Sequence, residues 1–166
     1  MALAGASSVT CVDSSEYAVS QGKRNAELNK VSGTCGFLKK DVFHFLKEEL
    51  NRSAHYDYIS VDPPAFVKSG GKVREAAKAY IELNTLAMRL LKKGSFMAAS
   101  SCSYHIDRGG FAEILREASK RAGVSFRIVE ARSQAKDHPA NLSVPETEYL
   151  KCFILEASGD PLPKTP

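Results

Sequence analysis

Short apolar, β-branched runs alternate with helix-length amphipathic segments along nearly the whole chain, and that alternation restricts the fold more than any other feature. Ser8 to Val12 forms a β-branched run that stops at Asp13, and Ser14 or Ser15 can cap a helix reaching about Asn29. Thr34 to Lys39 and Tyr56 to Val61 are the next strands. Between them runs an amphipathic helix, Val42 to Leu50, with Val42, Phe45, Leu46 and Leu50 on one face. A long helix is expected from Glu75 to Lys93, ended by Gly94. Tyr80, Leu83, Leu86, Ala87, Leu90 and Leu91 would face inward, and Arg89, Lys92 and Lys93 would be favourable charges at its C-terminal end. Ser95 to Ser101, Val124 to Ala131 and Glu148 to Leu155 complete the strands, with a helix from Asp107 to Arg121 and a two-proline loop from Asp137 to Pro145. Strands separated by helices imply an α/β fold: a largely parallel sheet with helices on both faces, finished by a hairpin-like pair. Ala2 to Ala6 reads as the tail of a helix closed by Gly5, so the sequence starts inside a unit.

With 166 residues, 43% of them hydrophobic, the chain suits one domain with a real core, over residues 1–157. The three-proline tail, 158–166, is expected to be disordered. Twenty-three basic against 19 acidic residues give a net charge of +4, which permits nucleic acid as a partner without specifying it. No apolar run approaches the ~18 residues of a membrane helix, and Met1 to Val9 lacks the basic region of a secretory leader. The four cysteines, at 11, 35, 102 and 152, have no paired short spacing, so neither disulfides nor a zinc site is expected. Cys11, Cys35 and Cys152 sit inside apolar runs and read as core. His44, His55 and His105 have no metal-ligand partners at usable spacing. A soluble cytoplasmic protein without a metal is the reading.

Two segments carry chemistry. Val61-Asp62-Pro63-Pro64-Ala65-Phe66 ends one strand, and Ser100-Ser101-Cys102-Ser103 ends another. Open α/β sheets bind ligands at the carboxyl ends of their strands. If the two strands are neighbours, a carboxylate, two proline carbonyls and a thiol share that edge, an arrangement suited to a planar base. The prolines make the turn rigid and remove competing amide hydrogens. Asp62 would otherwise be part of a plain strand-ending turn, and Cys102 a small buried hydrophobe.

The chain resembles the class I S-adenosylmethionine-dependent methyltransferases, and most of all the bacterial ribosomal RNA large-subunit methyltransferase I family, which makes 5-methylcytosine. The resemblance rests on Gly5-Ala6 leading into Val12-Asp13-Ser14-Ser15, on Asn25 to Asn29, on Asp41-Val42-Phe43 and on the two segments above. Asp137-His138-Pro139 and Pro145-Glu146-Thr147-Glu148-Tyr149-Leu150-Lys151 complete it. It implies a Rossmann-like sheet whose last strand is antiparallel, S-adenosylmethionine as cofactor and RNA, ribosomal in this family, as partner; a homodimer is compatible with it. It also implies an earlier strand and a glycine-bearing loop that this sequence lacks. That strand would lie between the strands ending at Asp13 and Asp62, so the sequence reads as part of a larger enzyme.

By the same resemblance Asp13, with Ser14, would accept from ribose hydroxyls, and Asp41 and the Val42 amide would hold the adenine. Either aspartate could instead be only a helix cap. Asp62 would contact both cofactor and base, with Pro63, Pro64, Phe66 and Lys68 on the substrate side. Lys68, Lys72 and Arg74 could meet RNA phosphates or belong to a solvated loop. C5 of cytosine is too poor a nucleophile to be methylated until something adds at C6, and a thiolate suits that addition, which assigns it to Cys102. Two rival readings stay open: methylation of a purine nitrogen on the same fold, and a truncated, inactive domain that binds RNA or a partner.

Overall fold

The computed structural model describes residues 1–66 and 73–159, and the chain forms two compact units, Met1–Asn51 and Arg52–Pro166. In the first, β1 (Val9–Asp13) and β2 (Cys35–Lys39) make a two-stranded parallel sheet, joined by α1 (Glu16–Leu28) and followed by α2 (Val42–Asn51). Asp13 lies opposite Lys39, so both strands finish at one level. Ser15 starts α1 by accepting the Ala18 amide at 3.3 Å, which satisfies one of the donors a helix leaves open in its first turn. Gly22 lets α1 approach β2: a Cβ there would stand 2.6 Å from the Phe37 ring. Ala2–Ala4 is only a single 3-10 turn, closed by Gly5 at φ 94°.

The second unit contains β3 (Tyr56–Val61), α3 (Val73–Arg89), β4 (Leu91–Ser101), α4 (Arg108–Ala122), β5 (Phe126–Arg132) and β6 (Lys151–Ala157). Its sheet has the order β3-β4-β6-β5; β3 and β4 are parallel, and β6 runs antiparallel between β4 and β5. The antiparallel last strand of the expected fold is therefore present.

Helix α3 packs on β3, β4 and α4. Its 3.6-residue periodicity is met in full: Tyr80, Leu83, Leu86 and Ala87 are buried, as are Leu90 and Leu91 just after the helix. Phe111 of α4 is fully buried, its ring centroid 5.8 Å from that of Tyr80 and 6.0 Å from that of Phe153. Asp107 caps α4 through the Gly110 amide at 2.7 Å, and Gly123 ends it at φ 72°. On the sheet face opposite Met97, Tyr58 and Phe96 pair across β3 and β4 and are 39% and 38% exposed.

The larger departures from expectation lie around the end of α3, at the start of the last strand and at three cysteines. The long helix stops at Arg89, and Lys92, Lys93 and Gly94 belong to β4. The pairing jumps from Tyr56–Leu91 to Tyr58–Phe96, so β4 carries extra residues that bulge outward, and Gly94, at φ 81°, makes the bend. A glycine after two lysines has the form of a helix terminator, but the helix ends before the buried apolar pair Leu90-Leu91. Arg89 alone keeps the helix-end role, and its guanidinium donates to the Arg121 carbonyl at 3.1 Å. The last strand begins at Lys151, because Pro145–Thr147 form a 3-10 turn. Finally, Cys11, Cys35 and Cys152 are half-buried free thiols rather than core residues.

Truncating Phe111 to alanine removes a ring enclosed on all sides. Urea unfolding of Phe111→Ala is expected to show a loss of about 3–5 kcal/mol in stability.

Candidate functional site

In the second unit β3 and β4 run parallel with Val61 opposite Ala99, so the residues that follow them emerge at one edge of the sheet. There the Cys102 thiol donates to the Pro63 carbonyl at 3.9 Å. Cys102 is half-buried, Asp62 and Pro64 are exposed, and Pro63 and Phe66 are half-buried. The structure thus brings together Asp62, Pro63, Pro64, Phe66 and Cys102. The bond from the thiol needs a carbonyl unoccupied by sheet pairing, and the two prolines, which cannot extend the ladder, leave one there.

Tyr80 ties this edge together from below. It is fully buried, and its hydroxyl accepts from Ser101 Oγ at 3.1 Å and from the Phe66 amide. Ser101 Oγ in turn accepts the Ser103 amide at 3.3 Å. One phenol oxygen therefore fixes both the end of β4 and the turn after β3. The Phe66 ring stands edge-on to Tyr80 at 4.7 Å, a contact worth about 0.5–1.5 kcal/mol. Burial pushes the Tyr80 hydroxyl above its ordinary 10.0; Cys102 and Asp62 push the same way, while the Ser101 and Phe66 bonds oppose.

On the far side of Cys102, the buried ammonium of Lys151 donates to the carbonyls of Ser103 and Tyr149 at 2.5 and 2.8 Å. Sequence alone gives Tyr80 and Lys151 no part in the site: Tyr80 reads as core and Lys151 as part of a motif without a role. The signal for Lys151 was available. With alternating burial through Lys151, Phe153, Leu155 and Ala157, a lysine occupies an inward position.

In the first unit Asp13, Ser14, Asp41 and Val42 lie at the carboxyl edge of the β1–β2 pair. Asp13 and Asp41 are exposed, and each uses one oxygen on a nearby amide: Asp13 on Ser15 at 2.7 Å, Asp41 on His44 at 2.9 Å. A carboxylate has a second oxygen and further lone pairs. The cap and ligand roles are therefore compatible, and exposed acceptors ending two parallel neighbours fit the hydroxyls and exocyclic amine of an adenosine group.

Lys68 and Lys72 lie outside the described residues; Arg74 is exposed at the start of α3. His138 is exposed, with Nδ1 3.4 Å from Asp137. Among the described residues no cluster of three or more His, Cys, Asp or Glu side chains is arranged to hold a metal, and no helix is long and apolar enough to cross a membrane.

The family described as Conserved hypothetical protein 95 matches residues 2–104. The chain is 37% identical over 152 residues to the Ribosomal RNA large subunit methyltransferase I of Pseudoalteromonas atlantica, covering 91% of this chain and 38% of that protein. The protein of the same name from Vibrio vulnificus is 38% identical, with 90% and 38% covered. The chain thus spans about two fifths of the length of these relatives. Among solved structures, a Streptococcus mutans protein described as a SAM-dependent methyltransferase superposes with a TM-score of 0.80 at 22% identity, over 93% of this chain and 40% of that one. The expected Rossmann-like methyltransferase fold is the one observed.

The alkaline limb of stability tests the buried phenol. The folded-state pKa is raised, so the Tyr80 contribution is intact below the unfolded value of 10.0 and falls as pH climbs past it. In Tyr80→Phe that part of the alkaline loss should disappear in urea titrations run across this range, with about 0.5–1.5 kcal/mol lost at neutral pH for the hydrogen bonds removed.

Proposed function

This chain belongs to the family described as Conserved hypothetical protein 95, and on that footing we propose that it is the catalytic region of an S-adenosylmethionine-dependent RNA methyltransferase acting on C5 of a cytosine in ribosomal RNA. The carrying observation is the Cys102 thiol on the Pro63 carbonyl, one residue from Asp62, at a single sheet edge. The name shared by the curated relatives supports RNA, ribosomal in kind, as the substrate.

When bound, the cofactor supplies an electrophilic methyl group. Asp13, Ser14, Asp41 and Val42 are the residues that would hold its adenosine part. Cys102 adds through sulfur to C6, and the C5–C6 π electrons move into the ring while Asp62 hydrogen-bonds the pyrimidine edge. C5 is then nucleophilic and is methylated. Loss of the C5 proton restores the double bond and expels the sulfur. Pro63 and Pro64 fix the Asp62 turn, so the carboxylate need not be ordered when the base arrives. Phe66 braces the turn from below through Tyr80, and Lys68 would meet phosphate.

In the full-length enzyme Cys102→Ala is expected to abolish C5 methylation and the covalent complex with RNA bearing 5-fluorocytidine, which cannot lose a C5 proton. Methylation that persists in this variant would favour transfer to a nitrogen. For the cofactor, isothermal titration of this chain with S-adenosylmethionine should show Asp13→Ala binding about 10-fold or more weakly, the value of a charged hydrogen bond. No heat from the unsubstituted chain would favour a binding domain without activity.

A further inference from the structure

Lys151 is 6% exposed. It lies opposite Ser101 in the β4–β6 ladder and shares the inward side of β6 with Phe153 and Leu155. An ammonium in such a place costs several kcal/mol unless it is paired, and the partners of its Nζ are two backbone carbonyls. Among the described residues no carboxylate makes an ion pair with it. The groups whose charge acts on it are Cys102, then Asp107. Asp107 is exposed and spends an oxygen on the Gly110 amide as the cap of α4, whereas Cys102 is joined to Ser103, whose carbonyl the ammonium holds. Cys102 also meets the turn after Asp62 at the Pro63 carbonyl, and its charge acts on Tyr80. Burial drives the lysine below its usual 10.5, and a negative charge at 102 or 107 draws it back.

We propose that the ammonium of Lys151 is the counter-ion of the sulfur at 102, a positioning residue that fixes the turn carrying the thiol and stabilises the negative charge formed when sulfur leaves the base. The proposal rests on Cys102 being the nucleophile and concerns the step that ends its reaction. At release the C5–H bond breaks and its proton passes to water. The electron pair of that bond becomes the C5–C6 double bond, and the C6–S pair returns to sulfur as thiolate. Ala65 and Phe66 follow the two prolines, so that turn provides no second thiol to protonate the departing sulfur. A fixed cation beside the developing charge does the equivalent work.

The test uses this chain with Cys11→Ser, Cys35→Ser and Cys152→Ser, leaving one thiol. Alkylation by anionic iodoacetate is compared with that by neutral iodoacetamide. In Lys151→Met the ratio of the two rates at Cys102 should fall about threefold to tenfold, and Lys151→Arg should restore most of it. A ratio unchanged in a folded Lys151→Met chain overturns the proposal. If that variant does not fold, the lysine is left in place and its titration followed by NMR after alkylation. S-carboxymethylation of Cys102 should raise the Lys151 midpoint by about half a unit or more relative to S-carbamidomethylation. Equal midpoints overturn the pairing. Neither assay contains RNA, so their failure is separate from that of the nucleophile reading, which the Cys102→Ala enzyme decides.

Discussion

A single oxygen, the hydroxyl of Tyr80, holds the working edge of the second unit in register. It sits where no water reaches and takes hydrogen bonds from the strand that carries the thiol and from the turn that carries Asp62. Those two segments are 39 residues apart in sequence for the pair Pro63 and Cys102, and loop closure alone would leave their relative position loose. A phenol is well suited to the position. Its ring fills space between Phe66 and Phe111, while its tip offers a hydrogen-bond acceptor whose own proton burial holds more firmly. The apolar core and the polar site are thus joined through one side chain.

Around that anchor the charges are unevenly placed. Asp62 faces solvent, where a base can reach it, while Lys151 is enclosed behind the thiol. Exposed ion pairs on α4 and β5, such as Glu113 with Arg116 and Glu130 with Arg132, add little because water screens them. The enclosed lysine lies in a medium of lower polarity, where its field is stronger and its lack of a carboxylate partner more consequential.

Much of this was readable in the sequence. Strand and helix order came from periodicity, and the inward positions Tyr80, Leu83, Leu86 and Ala87 of α3 were legible because apolar residues repeat there at helical spacing. The edge bearing Asp62 and Cys102 was visible because proline ends strands for a stereochemical reason. Local pattern failed where two signals competed. Lys92-Lys93-Gly94 has the composition of a helix terminus, yet burial of Leu90 and Leu91 pulled it into a bulged strand. Cys11, Cys35 and Cys152 look like core in apolar runs, but Cys152 falls between the inward positions of β6, and no residue of β1 or β2 is fully buried. Tyr80 and Lys151 were hidden for a different reason: their roles depend on which carbonyls and hydroxyls other segments bring to them, and no window of sequence contains that.

The position of β6 has a consequence for biosynthesis. Among the described residues it is the last strand of the unit in sequence order, yet it occupies an interior place and is the strand through which β5 joins the sheet. While the ribosome is still short of residue 151, β4 has an open flank, β5 has nowhere to attach, and the thiol at 102 has no cation behind it. The earlier strands can be made and wait, but assembly of this unit is deferred until β6 has emerged and slotted between its neighbours. A chain interrupted before that strand would therefore hold the thiol on an incomplete scaffold without the cation proposed to stabilise its charge, so the order of the elements makes rigidity and reactivity arrive together.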